Sequence, residues 1–269
     1  MDTEKNSDIP YRRWEAPEPK AVFLLVHGLC AHAGRWEAMA DFFMQKGFSS
    51  YAVELPMHGS SAGAYPASGY FSKYFSDILR LREISAQENP SKKIFLTGES
   101  MGGLIAFLLG AKKPELFDGI IGISPALTSR LKFPFFDYIK WISLLFYNRG
   151  GELDMPFNSA MCTRDGEYRK KMDLDPRERR AAPAGLLFDA LISQLSIGAV
   201  KNKLRIPVLF LLAGADTIVD SPGARKIFDT LKVPDKALIE YPGMSHALSI
   251  DIGKETVFAD MLAWVEKRI

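Results

Sequence analysis

Short, unbroken apolar runs recur along this chain, separated by helical patterns, and that alternation narrows the choice of fold more than any other feature. Ala21–Val26 reads AVFLLV, with no polar residue to turn towards water. A strand that is apolar at every position is buried on both faces, as in a parallel sheet covered by helices. Similar runs stand at Ser50–Val53, Lys93–Thr97, Gly119–Ile123, Val208–Leu212 and Ala237–Tyr241. Helical patterns mark Trp36–Lys46, Tyr70–Gln87, Met101–Lys112, Pro222–Leu231 and Lys254–Arg268. Strand–helix–strand repetition predicts an α/β fold: a mostly parallel central sheet, flanked by helices and wound with right-handed crossovers. A chain of 269 residues with ordinary globular composition fits one such unit.

The rhythm stops between Pro125 and Arg205, where no clear buried strand occurs and the pattern is helical. This predicts a core made of 1–124 and 206–269, with 125–205 inserted as a helical cap over the sheet. Within the insertion, eleven of the fifteen residues of Phe133–Tyr147 are aromatic or aliphatic. Its polar residues Asp137, Lys140 and Ser143 recur at every third position, so a helix here carries only a narrow polar stripe. Such a helix is either buried within the cap or offers apolar surface to lipid or acyl chains.

The chemistry concentrates at Gly98-Glu99-Ser100-Met101-Gly102-Gly103, a G-x-S-x-G match between the strand KIFLT and the helical run MGGLIAFLLGA. A serine at a tight strand-to-helix turn is lifted above the sheet, and the next helix places its N-terminus beneath any developing negative charge. A serine hydroxyl needs a base to take its proton. Of His27, His32, His58 and His246, the last lies just beyond the final strand-like run, where a loop at the strands' carboxyl ends can reach the site. Asp216, in GAD directly after VLFLL, is the acid expected to orient it, with Asp220 and Glu54 as alternatives. The order Ser100, Asp216, His246 is the one that strand–elbow–helix serine sites use. A tetrahedral oxyanion needs two backbone donors, and Met101 and Leu29 are the candidates. His27 and His58 read as structural, and His32 as exposed or at the site mouth.

Other classes fit poorly. A net charge of +2 gives no electrostatic footprint for nucleic acid. Neither the four histidines nor Cys30 and Cys162 show metal or redox spacing, and the cysteines read as free thiols. Met1 to Pro19 is polar without a signal-like apolar stretch, and no run approaches about 18 consecutive apolar residues, so a cytoplasmic location is expected.

These segments resemble the monoacylglycerol lipase and lysophospholipase branch of the α/β hydrolases. The likeness runs from YRRWEAP near Tyr11 through VFLLVHG, ELPMHGSSAG, GESMGG, TRDGEYRKKMDLDP and IPVLFLLAGADTIVD to YPGMSHAL. It implies the α/β-hydrolase fold with the cap inserted after the sixth strand. It also implies a Ser100–Asp216–His246 triad, Leu29 and Met101 as oxyanion donors, a mobile cap over an acyl-binding channel, and no cofactor. The expected substrate is a monoacylglycerol, a lysolipid or a short-to-medium acyl ester, with transient contact to lipid aggregates through the cap. Thioester or amide hydrolysis on the same fold is the alternative, and a silent binding protein a more distant one. Epoxide hydrolase and dehalogenase chemistries need a carboxylate at the position of Ser100. The chain departs from the branch in three places. Little precedes Tyr11, which implies a sheet one strand short. Glu54 stands where many members have Asp, and Pro56-Met57-His58-Gly59 where they have Arg-Gly-His-Gly.

Overall fold

The computed structural model describes residues 9–61, 66 and 69–269. The readings of the first eight residues and of Ala62 and Gly63 in ELPMHGSSAG lie outside them. In chain order the first half contains β1 (Tyr11–Trp14), β2 (Ala21–Val26), α1 (Glu37–Gln45), β3 (Ser49–Val53) and α2 (Tyr70–Glu88). It continues with β4 (Lys93–Glu99), α3 (Met101–Lys112) and β5 (Gly119–Ile123). Then come α4 (Phe135–Tyr147), β6 (Glu152–Asp154), α5 (Ser159–Cys162), α6 (Gly166–Leu174), β7 (Ala181–Pro183) and α7 (Ala184–Val200). The chain closes with β8 (Val208–Ala213), α8 (Ser221–Asp229), β9 (Lys236–Tyr241) and α9 (Lys254–Glu266).

Among the described residues, seven strands form the central sheet in the order β1-β3-β2-β4-β5-β8-β9. Only β1 runs antiparallel, pairing Tyr11 with Val53 and Trp14 with Ser50; every other neighbouring pair is parallel. Alternation along β2 explains why a strand covered on both faces is apolar throughout. Val22, Leu24 and Val26 enter one core layer with Tyr74 and Ile78 of α2, Phe107 of α3 and Phe228 of α8. Ala21, Phe23 and Leu25 enter the other, with Met39 and Phe43 of α1 and Phe258 and Met261 of α9. The α/β-hydrolase fold expected from the sequence is the fold found.

Two details differ from expectation. Among the described residues the insertion leaves after the fifth strand in chain order, not the sixth, because β1 alone precedes β2. The insertion is also not wholly helical: β6 and β7 pair antiparallel, with Leu153 opposite Ala182. Strands of three residues are too short to show a period in sequence. Helix α4 forms as expected, yet none of its residues is buried. The reading of a helix sunk within the cap is thereby corrected: α4 packs along α7 and β6, and its other side faces solvent. Ala184–Lys203, which is α7 and the turn after it, is long and apolar enough by composition to cross a membrane. Here it lies against α2, α3 and α4.

Candidate active site

Ser100 occupies the turn between β4 and α3 with φ 57° and ψ −120°, a left-handed conformation that a non-glycine residue adopts only under constraint. The constraint is packing. A Cβ on Gly102 would lie 2.0 Å from the Val26 carbonyl oxygen, and one on Gly28 would lie 3.1 Å from Ser100 Cβ. The end of β2 and the loop after it are therefore pressed against the elbow, and every residue of α3 except Lys112 is buried behind it. That loop carries Leu29. Among the described residues, no protein acceptor takes the N–H of Leu29 or Met101, and both residues line the cavity that holds Ser100.

His246 sits in the loop after β9, with Nδ1 2.7 Å from Asp216 Oδ2. Asp216, after β8, uses its other oxygen to accept from the N–H groups of Ile218 and Val219, both at 2.8 Å. Burial opposes the Asp216 carboxylate, but His246 and these two N–H groups outweigh it and hold the group below its ordinary range. With one oxygen fixed by the backbone, the other has a set direction, and it sets the plane of the imidazole. The alternative acids are elsewhere. Asp220 pairs with Arg130 at 3.4 Å, and Glu54 lies under the Leu29 loop, accepting from Ala33 N–H at 3.2 Å.

The other histidines are structural. His27 Nε2 accepts from Leu55 N–H at 3.1 Å and Nδ1 lies 2.9 Å from the Gly28 carbonyl oxygen, so the proton is on Nδ1. Burial and the neighbouring His58 push its pKa well below the usual value. Burial likewise lowers His58 to about 4. His32, expected to be exposed or at the site mouth, is only 4% exposed and does not line the cavity over Ser100. Its Nδ1 accepts from Gly34 N–H at 3.1 Å, and Nε2 stands 3.5 Å from Asp175 and 3.4 Å from Glu178. Both acids come from the insertion, which covers it. Cys30 and Cys162 are free and buried, and burial raises their thiols to about 12 and about 11.

A cavity of about 330 Å³ opens over Ser100 and His246. Trp141 of α4, Met155 and Phe157 after β6, and Leu186 and Ala190 of α7 form its upper walls; Leu104 and Ile218 come from below. Its polar lining includes Arg35 and Glu99, and each is already engaged. The Arg35 guanidinium donates to both Glu178 oxygens, at 2.6 and 2.5 Å, tying the core to the insertion. Burial works against the Arg35 charge, but Glu178 more than offsets it. Glu99 Oε1 accepts from Ser249 N–H at 3.0 Å, and Oε2 lies 2.9 Å from the Ser249 hydroxyl.

The family described as Hydrolase_4, serine aminopeptidase, S33, matches residues 17–253. The chain belongs to this family. It is a serine ester hydrolase of the α/β-hydrolase fold, as its relatives indicate. It is 30% identical over 274 residues to the monoglyceride lipase of Homo sapiens, covering 98% of this chain and 89% of the relative. Identity to the monoacylglycerol lipase of Mycolicibacterium smegmatis is 26%, over 92% of this chain and 89% of that one. The crystal structure of Paleococcus ferrophilus monoacylglycerol lipase superposes with TM-score 0.87 at 25% identity, covering 98% of this chain and 100% of the other. In this hydrolase the residues that motif reading passes over are Glu99, Arg35 and Glu178. An acidic residue closing β4 directly after the buried run Ile94–Gly98 is a visible signal for the first. The second and third meet across 143 positions, and nothing local announces them.

Proposed function

We propose that this hydrolase cleaves monoacylglycerols and related single-chain acyl esters, with Ser100 as nucleophile, His246 as base and Asp216 as the acid orienting the base. The observation that carries the reading is the 2.7 Å His246–Asp216 bond beside the strained serine, at the base of one largely apolar cavity. Ser100 Oγ attacks the ester carbonyl while His246 Nε2 takes its proton, and Asp216 stabilises the imidazolium. Negative charge gathers on the former carbonyl oxygen, where the N–H groups of Leu29 and Met101 receive it at the N-terminus of α3. Collapse of the intermediate expels the alcohol, which takes the proton from His246. A water activated by the same imidazole then releases the fatty acid and restores Ser100.

An apolar cavity suits an acyl chain. It suits an aminopeptidase substrate poorly, since a free α-ammonium calls for an available carboxylate. Glu99 and Glu178, near this end, are bound to Ser249 and Arg35. Residues 125–205 act as the cap over a core of 1–124 and 206–269, and the outer face of the cap meets lipid. Phe135, Phe136, Phe146 and Tyr147 are between 72% and 89% exposed, a concentration of apolar surface that marks an interaction face.

The test is a panel of p-nitrophenyl esters of rising chain length, run beside monoacylglycerol, lysophospholipid and an amino-acid anilide. Substrate is presented both as monomers and in vesicles. Turnover should favour acyl esters over the anilide, gain from vesicles, and fall by roughly 10³-fold or more in Ser100→Ala. Substantial residual activity in Ser100→Ala would exclude the triad, and preference for the anilide would exclude the ester reading. Vesicle gain that survives Phe136→Ser/Phe146→Ser would exclude the lipid face.

A further inference from the structure

His246 belongs to no helix or strand; it lies in the irregular stretch between β9 and α9. A base on a loop keeps its distance from the nucleophile only if the loop is held. Besides the Ala215 N–H on the Met244 carbonyl at 3.0 Å and the Thr163 hydroxyl on the Ile250 carbonyl at 3.2 Å, three anchors grip the residues on either side of His246. The Asp251 carboxylate, itself bonded to Arg164, accepts from Ser245 N–H at 2.7 Å. The Cys162 carbonyl accepts from Ala247 N–H at 2.8 Å. Glu99 takes the N–H and meets the hydroxyl of Ser249, at 3.0 and 2.9 Å. The first anchor lies within the loop's own neighbourhood and the second comes from the cap. Only the third comes from the elbow, through the residue covalently joined to Ser100.

We infer that Glu99 is a positioning residue: by gripping Ser249 it sets the distance between the His246 loop and the nucleophile. This rests on the Ser100–His246 reading. The circuit is short. One peptide bond separates Ser100 from Glu99, two contacts cross to Ser249, and three residues lead back to His246. It bypasses Asp216, so the two carboxylates have separate tasks. Asp216 fixes the plane and tautomer of the ring, and Glu99 fixes where the ring stands. Glu99 and Ser249 are 5% and 1% exposed, respectively, and water has little access to replace the bonds if one partner is lost. Displacing a reacting group by about 1 Å can cost about 10²-fold in rate.

The experiment measures kcat and KM on one soluble ester for the wild type, Glu99→Leu, Glu99→Gln, Ser249→Ala and Ser100→Ala, with melting temperatures alongside. Gln keeps an acceptor for Ser249 N–H and a donor for the hydroxyl, and should stay within about threefold of wild-type kcat. Leu abolishes both contacts and should lower kcat by about 10²-fold with KM changed less than about twofold. Ser249→Ala loses one contact and should lower kcat by about fivefold; it decides the matter should Glu99→Leu fail to fold. The inference is overturned by unchanged kcat in Glu99→Leu or in a folded Ser249→Ala. An equal loss in the Gln and Leu variants, or an effect on KM alone (which would make Glu99 a substrate contact), also overturns it. An inactive Ser100→Ala in those cases leaves the triad standing, whereas an active one removes both readings.

Discussion

Replacing Glu54 by Gln should stabilise this protein at alkaline pH and leave it unchanged at acid pH. The carboxyl is 6% exposed and accepts from Ala33 N–H. His27 Nε2 stands 3.5 Å away but is itself an acceptor from Leu55, so it has no proton to offer. Burial raises Glu54 from 4.5 to about 7, against the opposing pull of Ala33 N–H, Arg12 and Arg177. The folded chain thus holds a proton that the unfolded chain releases. Across that window the native state binds more protons, so stability falls as pH rises. The contribution is complete below the unfolded value and lost as pH climbs through the folded one. The gap between 4.5 and about 7, at about 1.4 kcal/mol per pH unit, corresponds to about 3 kcal/mol. For a chain of this size that is roughly 6 to 10 °C in melting temperature. Gln keeps the acceptor for Ala33 and carries no charge at any pH. Thermal melts of both proteins from about pH 4.5 to about pH 8.5 should coincide at the acid end and separate by that amount at the alkaline end. A constant offset across the range, or a Gln variant that is the less stable at high pH, would refute the account of Glu54 as a carboxyl held neutral by burial.

Asp216→Asn should lower kcat about 10⁴-fold, because an amide cannot stabilise the imidazolium, whereas Asp220→Asn should stay within a few-fold; the reverse ranking would sink the acid assignment. Trp141, which lines the cavity and bonds the Ala184 carbonyl at 2.9 Å, should matter for long acyl chains. Each methylene buried there is worth about 0.8 kcal/mol, or roughly fourfold in kcat/KM. Trp141→Asp should flatten that climb while sparing acetate esters, and Leu145→Asp, outside the cavity lining, should not. Equal loss on all substrates with a lowered melting temperature would count against an acyl channel.

The parallel strands were legible because burial on both faces leaves a continuous apolar run, and β2, β4, β5 and β8 lie where those runs lie. β1 was not: YRRW is four residues at a sheet edge, with adjacent Arg12 and Arg13 on partly open positions between buried Tyr11 and Trp14, so it shows neither an apolar run nor an alternation. The triad candidates were legible for a related reason. Each follows directly on a strand or strand-like run, so chain order and strand ends were enough to nominate Ser100, Asp216 and His246. What local pattern cannot encode is a polar residue's distant partner. His32 reads as exposed until Asp175 and Glu178 are folded over it. Glu54 reads as a spare acid until the Ala33 loop closes on it.

The same limit separates α4 into what could and could not be foreseen. Its spacing gives a helix with a narrow polar stripe, and the helix is there. Whether the apolar remainder is covered depends on how much of it the facing helix can reach, and α7 reaches only one side. Trp141 is drawn inward by the Ala184 carbonyl, while Phe136 and Phe146 are left outward at 78% and 81% exposure. On the proposed function, one amphipathic period would serve two apolar tasks on opposite sides of the helix: lining the cavity and meeting lipid. A substitution on one side should leave the other task intact. Trp141→Asp and Phe136→Ser/Phe146→Ser should thus separate chain-length preference from vesicle gain, and variants that lose both together would mean that α4 acts through its position alone.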